Sequence, residues 1–232
     1  MMKVVGVLAF AVMILVAGVT EVPAVAFNSA GGQGSCTGNV APPGPTPATC
    51  LGGGWVAVAP DPFWQPNTGG AVWVSFTGGT GSGGVVVTPN VVAPLTPINA
   101  TTTFTIGIPA GFASLSLLVW ADDTAGVRLD GGTYIASSTP GASAPNETQG
   151  TACAQGGLTC TPGGGAAFNI LLGGAAHELH FDVFQRAGDA FGLMYVGDLL
   201  APVPEPATML LVGSVLAGVG YISRRRLQKT QV

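Results

Sequence analysis

Between residues 55 and 199 the sequence is a series of short runs rich in β-branched and aromatic residues, each cut off by turn-forming residues before a helix could complete three turns. The runs are 55–59, 71–77, 84–88, 102–108, 114–121, 126–129, 133–136, 167–172, 178–185 and 191–199. Side chains alternate along a strand, so Phe104, Ile106 and Ile108 share one face of their run. Leu179, Phe181 and Val183 do the same in theirs, with Glu178, His180 and Asp182 opposite. Ten short strands without an amphipathic helix predict an all-β chain: a jelly-roll-like antiparallel β-sandwich over residues 55–202. Residues 27–54, rich in Gly and Pro, are expected to be a loop segment, with regular structure beginning near Trp55. Residues 137–165 break the strand rhythm and read as a long irregular loop.

Charge placement adds a second constraint. Only 8% of the 232 residues are charged, against about 25% in an ordinary soluble domain, while Gly and Pro supply 37 and 18 residues. Lys3 stands at one end and Arg224, Arg225, Arg226 and Lys229 at the other; between Phe27 and Val203 only Arg128 and Arg186 face nine acids, a net of −7. An acidic body with basic ends suits a chain whose two ends are read by membrane machinery. It excludes a nucleic-acid binder, which needs a basic footprint.

The first 26 residues have the order of a secretory signal peptide. Lys3 is followed by the apolar run Val4 to Val19, and Ala24 and Ala26 form an A-x-A cleavage site, so the mature chain is expected to begin at Phe27. Export through the Sec machinery places the four cysteines in an oxidising compartment. Four cysteines permit three pairings, of which the local one, Cys36 with Cys50 and Cys153 with Cys160, is preferred. None of the spacings is that of a C-x-x-C metal or redox pair.

At the other end, Val203-Pro204-Glu205-Pro206 leads into the uncharged apolar stretch 207–222, expected to be a transmembrane helix, and then into the basic tail 223–232 with Arg224, Arg225 and Arg226. Sixteen helical residues span about 24 Å, a minimal crossing of a ~30 Å hydrocarbon core. The Arg cluster is retained on the cytoplasmic side, which puts the Pro-Glu-Pro element and everything before it outside. This three-part order, 203–232, resembles the sorting signal of PEP-CTERM proteins of bacteria. The resemblance implies an inner-membrane precursor held by its C-terminal helix, processing by an exosortase near Pro204-Glu205-Pro206, and delivery to the cell surface or extracellular matrix of a Gram-negative bacterium.

Within the body, Phe104-Thr105-Ile106, Leu115 to Trp120, Ala121-Asp122-Asp123 and Val127-Arg128-Leu129-Asp130-Gly131-Gly132 are similar to the part of galactose-binding-like sandwiches where a strand ends at an acidic turn and a hairpin presents a glycine tip. Phe184 through Gly192-Leu193 to Gly197 is similar to their closing strand. The resemblance implies a fold rather than a ligand.

Catalytic patterns fail on inspection. His177-Glu178-Leu179-His180 lacks the second His that a zincin needs at position 181, which is Phe, and on a strand His177 and His180 point to opposite faces. Gly79 to Gly84 satisfies G-x-G-x-x-G, but a strand rather than a helix follows, so no helix N-terminus is there to hold a pyrophosphate. Asp122, Asp123 and Asp130 are the one acidic constellation, either calcium ligands or, preferably, turn caps, since the D-x-D-x-D-G spacing is missing. No cofactor is expected and the ligand site is unassigned. Of the four Trp, Trp73 and Trp120 are expected in the core, and Trp64, in a Pro-rich loop, is expected to be exposed. The function expected is a non-enzymatic surface or matrix protein with a structural or adhesive role in exopolysaccharide. The alternatives are a carbohydrate-binding module with polysaccharide as partner, and a secreted glycoside hydrolase or other hydrolase.

Overall fold

The computed structural model describes residues 24–31, 34–38, 55–75, 95–139, 160–185 and 190–202, together with positions 213, 215, 216 and 218. Ala24–Ala201 forms one compact unit; Met1–Pro23 and Pro202–Val232 form another. The described residues of the larger unit form ten strands: β1 (Ala24–Asn28), β2 (Ser35–Gly38), β3 (Val56–Ala57), β4 (Val74–Ser75), β5 (Thr102–Ile108), β6 (Ser114–Asp122), β7 (Thr124–Leu129), β8 (Ala166–Leu171), β9 (His177–Phe184) and β10 (Gly192–Leu200). One sheet has the order β3-β4-β10-β6-β8, with β1 also paired to β10, and the other has the order β2-β5-β9-β7. Every pairing is antiparallel. From β5 to β10 the chain changes sheet at every connection, so each strand lies across the sandwich from the one before it. This is the jelly-roll-like arrangement that the alternating runs predict.

Alternation explains the core. Phe104, Ile106 and Ile108 of β5 and Leu179, Phe181 and Val183 of β9 are buried together, in a register that sets Phe104 opposite Phe181 and Ile106 opposite Leu179. Leu115, Leu117 and Val119 of β6 face them from the other sheet, joined by Phe168 and Tyr195. Tyr195 stacks on Phe181, with ring centroids 4.8 Å apart. Burial of such side chains contributes roughly 1.5–3 kcal/mol each before conformational entropy is counted.

A second apolar cluster covers the outer face of the six-stranded sheet. Trp120 and Met194 are register partners that point outward, and Trp64, Ala71, Trp73, Cys160 and Ala190 pack over them. Loops thus form a partial third layer over this sheet.

Several expectations are corrected. Residues 27–54 do not form a pure loop: β1 crosses the 26/27 boundary and β2 pairs with β5, carrying Cys36 into the core. β2 escapes a pattern search because Ser-Cys-Thr-Gly has no hydrophobic alternation, and β1 because Ala-Val-Ala reads as a cleavage site. The run 133–136 is not a strand; only Ile135 bonds to β7, through its N–H to the Val127 carbonyl at 2.8 Å. The run 84–88 lies outside the described residues. So does the signal segment as far as residue 23. Of the expected membrane helix, Gly213, Val215, Leu216 and Gly218 are described and all are helical. Among the described residues no helix is long and apolar enough to cross a membrane.

Candidate functional site

The acidic residues singled out by the sequence are distributed over two ends of the sandwich. β7 begins just after Asp123 and ends just before Asp130. At about 3.3 Å per residue this puts roughly 20 Å between Asp130 and the other two. The three therefore do not form one calcium site. Among the described residues, no group of three or more His, Cys, Asp or Glu could hold a metal ion.

At the first end, where β6 passes into β7, Asp122 and Asp123 are buried and joined by a cis peptide bond. The Trp64 indole N–H donates to Asp122 Oδ2 at 2.8 Å, across 58 residues of sequence. Asp123 donates its backbone N–H to the Phe184 carbonyl at 3.2 Å, and Gln185 N–H donates to Thr101 Oγ1 at 3.0 Å. Trp64 is thus not exposed: it is 2% accessible and lies 4.2 Å, centroid to centroid, from Trp73, whose indole donates to the Gln65 carbonyl. The cause is local. Asp61 accepts the N–H of Phe63 on its side chain and that of Trp64 on its carbonyl, a turn that throws Phe63 outward and Trp64 inward. Phe63, 78% exposed, is the loop's solvent-facing aromatic. Gly192 permits the packing, since a Cβ there would come within 2.9 Å of the Trp64 ring.

On the outer face of the four-stranded sheet, Asp182 is completely buried. Arg128 Nε donates to it at 2.6 Å, and Thr103 Oγ1 donates to its other oxygen at 2.6 Å. Tyr134 lies over this pair, and burial with the nearby Asp182 charge pushes its hydroxyl pKa up. One row further along, Thr105 Oγ1 meets His180 Nδ1 at 2.9 Å. Burial and the Arg128 charge hold His180 below the usual imidazole range. A cavity of about 520 Å³ opens beside this face, lined by Leu95, Thr96, Pro97, Tyr134 and the hairpin glycines Gly131 and Gly132.

At the second end, Asp130 sits at φ 50°, followed by Gly131 at φ 70°. Asp tolerates this left-handed region better than most residues do. Its Oδ1 accepts the Glu178 N–H at 2.8 Å and its Oδ2 meets His177 Nδ1 at 2.6 Å. The other ring nitrogen, Nε2, is 2.6 Å from the Leu172 carbonyl. Both nitrogens therefore face acceptors. The Asp130 bond, then the Leu172 bond, holds the His177 pKa above its ordinary value. An Asp-His pair in this arrangement is a poor general base, because the nitrogen that would take a proton from a nucleophile already points at a carbonyl. His177 and His180 are not brought together on a common ligand.

Of the expected processing positions, Ala24 and Ala26 are exposed in β1, opposite Leu200 and Asp198, and Phe27 is the first buried residue of the strand. Cys36 and Cys160 are both buried, and each takes part in a disulfide. Cys50, Cys153, Val203, Pro204, Glu205, Pro206, Arg224, Arg225 and Arg226 lie outside the described residues. The chain leaves the sandwich at Leu200, the last residue of β10. Residues 202–226 match the PEP-CTERM protein-sorting motif. No curated protein matches the chain. The PEP-CTERM match begins two residues after β10 ends, so the sorting signal follows the folded body almost directly. It implies an exported, membrane-anchored precursor that an exosortase processes and that ends at the cell surface.

Proposed function

We propose that the sandwich is the cargo of this sorting signal: a non-enzymatic structural or adhesive component of the extracellular matrix or exopolysaccharide of a Gram-negative bacterium. The match at residues 202–226, directly behind the closing strand, carries the reading. Asp122, Asp130 and Asp182 support its non-enzymatic part, because they are committed to the fold. Asp122 accepts from Trp64, Asp182 from Arg128 and Thr103, and Asp130 from Glu178 and His177. In the same reading, residues 1–26 are the Sec signal, 207–222 is the transient anchor, and the disulfides pair Cys36 with Cys50 and Cys153 with Cys160. A galactose-binding-like relationship accounts for the acidic turn and the glycine hairpin.

Mass spectrometry of the protein recovered from the cell surface tests the delivery. The expected C-terminus lies near Pro204 to Pro206, and a surface protein that retains Arg224-Arg225-Arg226 would overturn the processing. Polysaccharide hydrolysis by the purified protein would overturn the non-enzymatic role. A carbohydrate-binding module is the second reading, favoured by the cavity beside Tyr134, whose size suits a small ligand and whose lining is largely apolar. Retention on a glycan array that is lost in Tyr134→Ala would decide for it.

A further inference from the structure

The second end of the sandwich holds a continuous run of hydrogen bonds from Asp130 to the exit of the chain. Asp130 binds His177 and the Glu178 amide, and its own N–H donates to the Glu178 carbonyl at 2.8 Å. His177 Nε2 meets the Leu172 carbonyl, and Leu172 N–H donates to the Ala113 carbonyl at 2.8 Å. Ala113 N–H in turn donates to the Leu200 carbonyl at 2.8 Å. Gly111 and Gly174 close the same corner, with Gly174 N–H on the Phe112 carbonyl and Gly111 N–H on the Gly174 carbonyl, each at 2.9 Å. The run joins the end of β7, the turns from β5 to β6 and from β8 to β9, and the last residue of β10. It therefore ties both sheets together where the sorting segment departs.

We propose that this run is a pH-dependent clasp, with His177 as its titratable link, and that it sets how firmly the end of β10 before the sorting segment is held. Only the imidazolium can donate from both nitrogens at once. When His177 loses its proton, one ring nitrogen presents a lone pair to an acceptor, either the Asp130 carboxylate or the Leu172 carbonyl, and that bond is lost. Among the described residues the charged groups around it are few. Asp130 faces it from the end of β7, and Glu178 is its neighbour on β9, its carboxylate 3.7 Å from His180. Arg128 on β7 is engaged by Asp182, and the turn after β8 presents the Leu172 carbonyl.

The raised pKa fixes the direction. A group whose folded pKa lies above its unfolded value contributes fully below the unfolded value, and the contribution disappears as pH rises through the folded one. The clasp is thus closed in mildly acidic medium and loosened in alkaline medium.

Hydrogen-exchange mass spectrometry of the full chain in detergent, from pH 5.5 to pH 9 and corrected for intrinsic exchange, tests this. Peptides covering 110–114, 172–178 and 198–201 are expected to lose protection by about two- to tenfold as His177 deprotonates, the range for one net hydrogen bond. Peptides covering 118–124, at the opposite end, serve as the internal reference and should not change. His177→Gln should remove the pH dependence, and the wild-type series gives the answer independently if that variant folds poorly. Equal protection across the range, a dependence that survives His177→Gln, or an NMR titration of His177 at or below that of His180 would each overturn the proposal. None of these outcomes bears on whether the C-terminus is cut, so the clasp and the sorting can fail separately.

Discussion

The two ends of the sandwich solve one problem with different chemistry. Each must hold a carboxylate where the chain turns out of a strand. At the β6–β7 corner the acid is buried, and a neutral indole from a distant loop donates to one of its oxygens: Trp64 on Asp122 Oδ2. At the end of β7 the acid is half exposed, and a titratable ring from a neighbouring strand satisfies it: His177 on Asp130. The first arrangement gains from packing, and its donor does not titrate. The second depends on a proton and responds to its surroundings. The pH-sensitive end is also the one at which the chain enters through β1 and leaves through β10, since Ala24 is opposite Leu200.

Truncating the buried end should produce the largest effect. Trp64→Ala removes the ring packed against Trp73 and takes the indole donor from Asp122 Oδ2, so a loss of about 3–5 kcal/mol is expected from cavity formation. Urea unfolding at pH 5.5 and at pH 8 should give the same loss. A loss that changes with pH would dissolve the contrast between the ends. Trp64→Phe separates the two contributions: it keeps most of the ring and removes the donor, and should cost about 1–3 kcal/mol, the range for taking one partner from a buried hydrogen bond. Equal losses in the two variants would mean that the hydrogen bond, not the packing, holds the loop.

How far the sequence foretold this differs between strands and loops. β5, β6, β9 and β10 were legible within a residue or two, because each is long enough for alternation to show and each buries one face against the facing sheet. β3 and β4 are two residues each, too short to establish a period, and shorter than the runs 55–59 and 71–77 that contain them. β2 was illegible because its place comes from pairing with β5 rather than from hydrophobicity. Among the site residues, the sequence expectation for Asp122 and Asp123 was capping of their own turn, and the Trp64 partner of Asp122 was not foreseen. Trp64 reaches it across 58 residues, and nothing in Pro60-Asp61-Pro62-Phe63-Trp64 says which aromatic turns inward. The pairing of Asp130 with His177 is equally non-local, and follows only from the β7–β9 register, which sets Leu129 opposite Leu179. The sorting signal was fully legible because it is read as a linear order of residues, with no tertiary contact needed.

The smallest effect is the most diagnostic of the open end. Asp130→Asn keeps an oxygen for the Glu178 amide and suits the positive φ at that position, so the turn should persist; only the charge facing His177 is lost. The Glu178 amide, followed by His177, holds the Asp130 pKa below its usual 3.8. That contribution is present above the unfolded carboxylate pKa and disappears as pH falls through the lowered folded value. The His177 contribution disappears in the opposite direction, as pH rises through its raised pKa. The stability difference between wild type and Asp130→Asn should therefore be negligible in strong acid, greatest in the window between the two titrations, and reduced in alkali to the part that the Glu178 amide supplies. In the variant the NMR titration of His177 should fall toward 6.5, while that of His180, which burial already holds low, should barely move. A difference that is flat across pH, or two histidines that shift together, would mean that the charge on Asp130 acts through the general field of an acidic protein and not through the ring in contact with it.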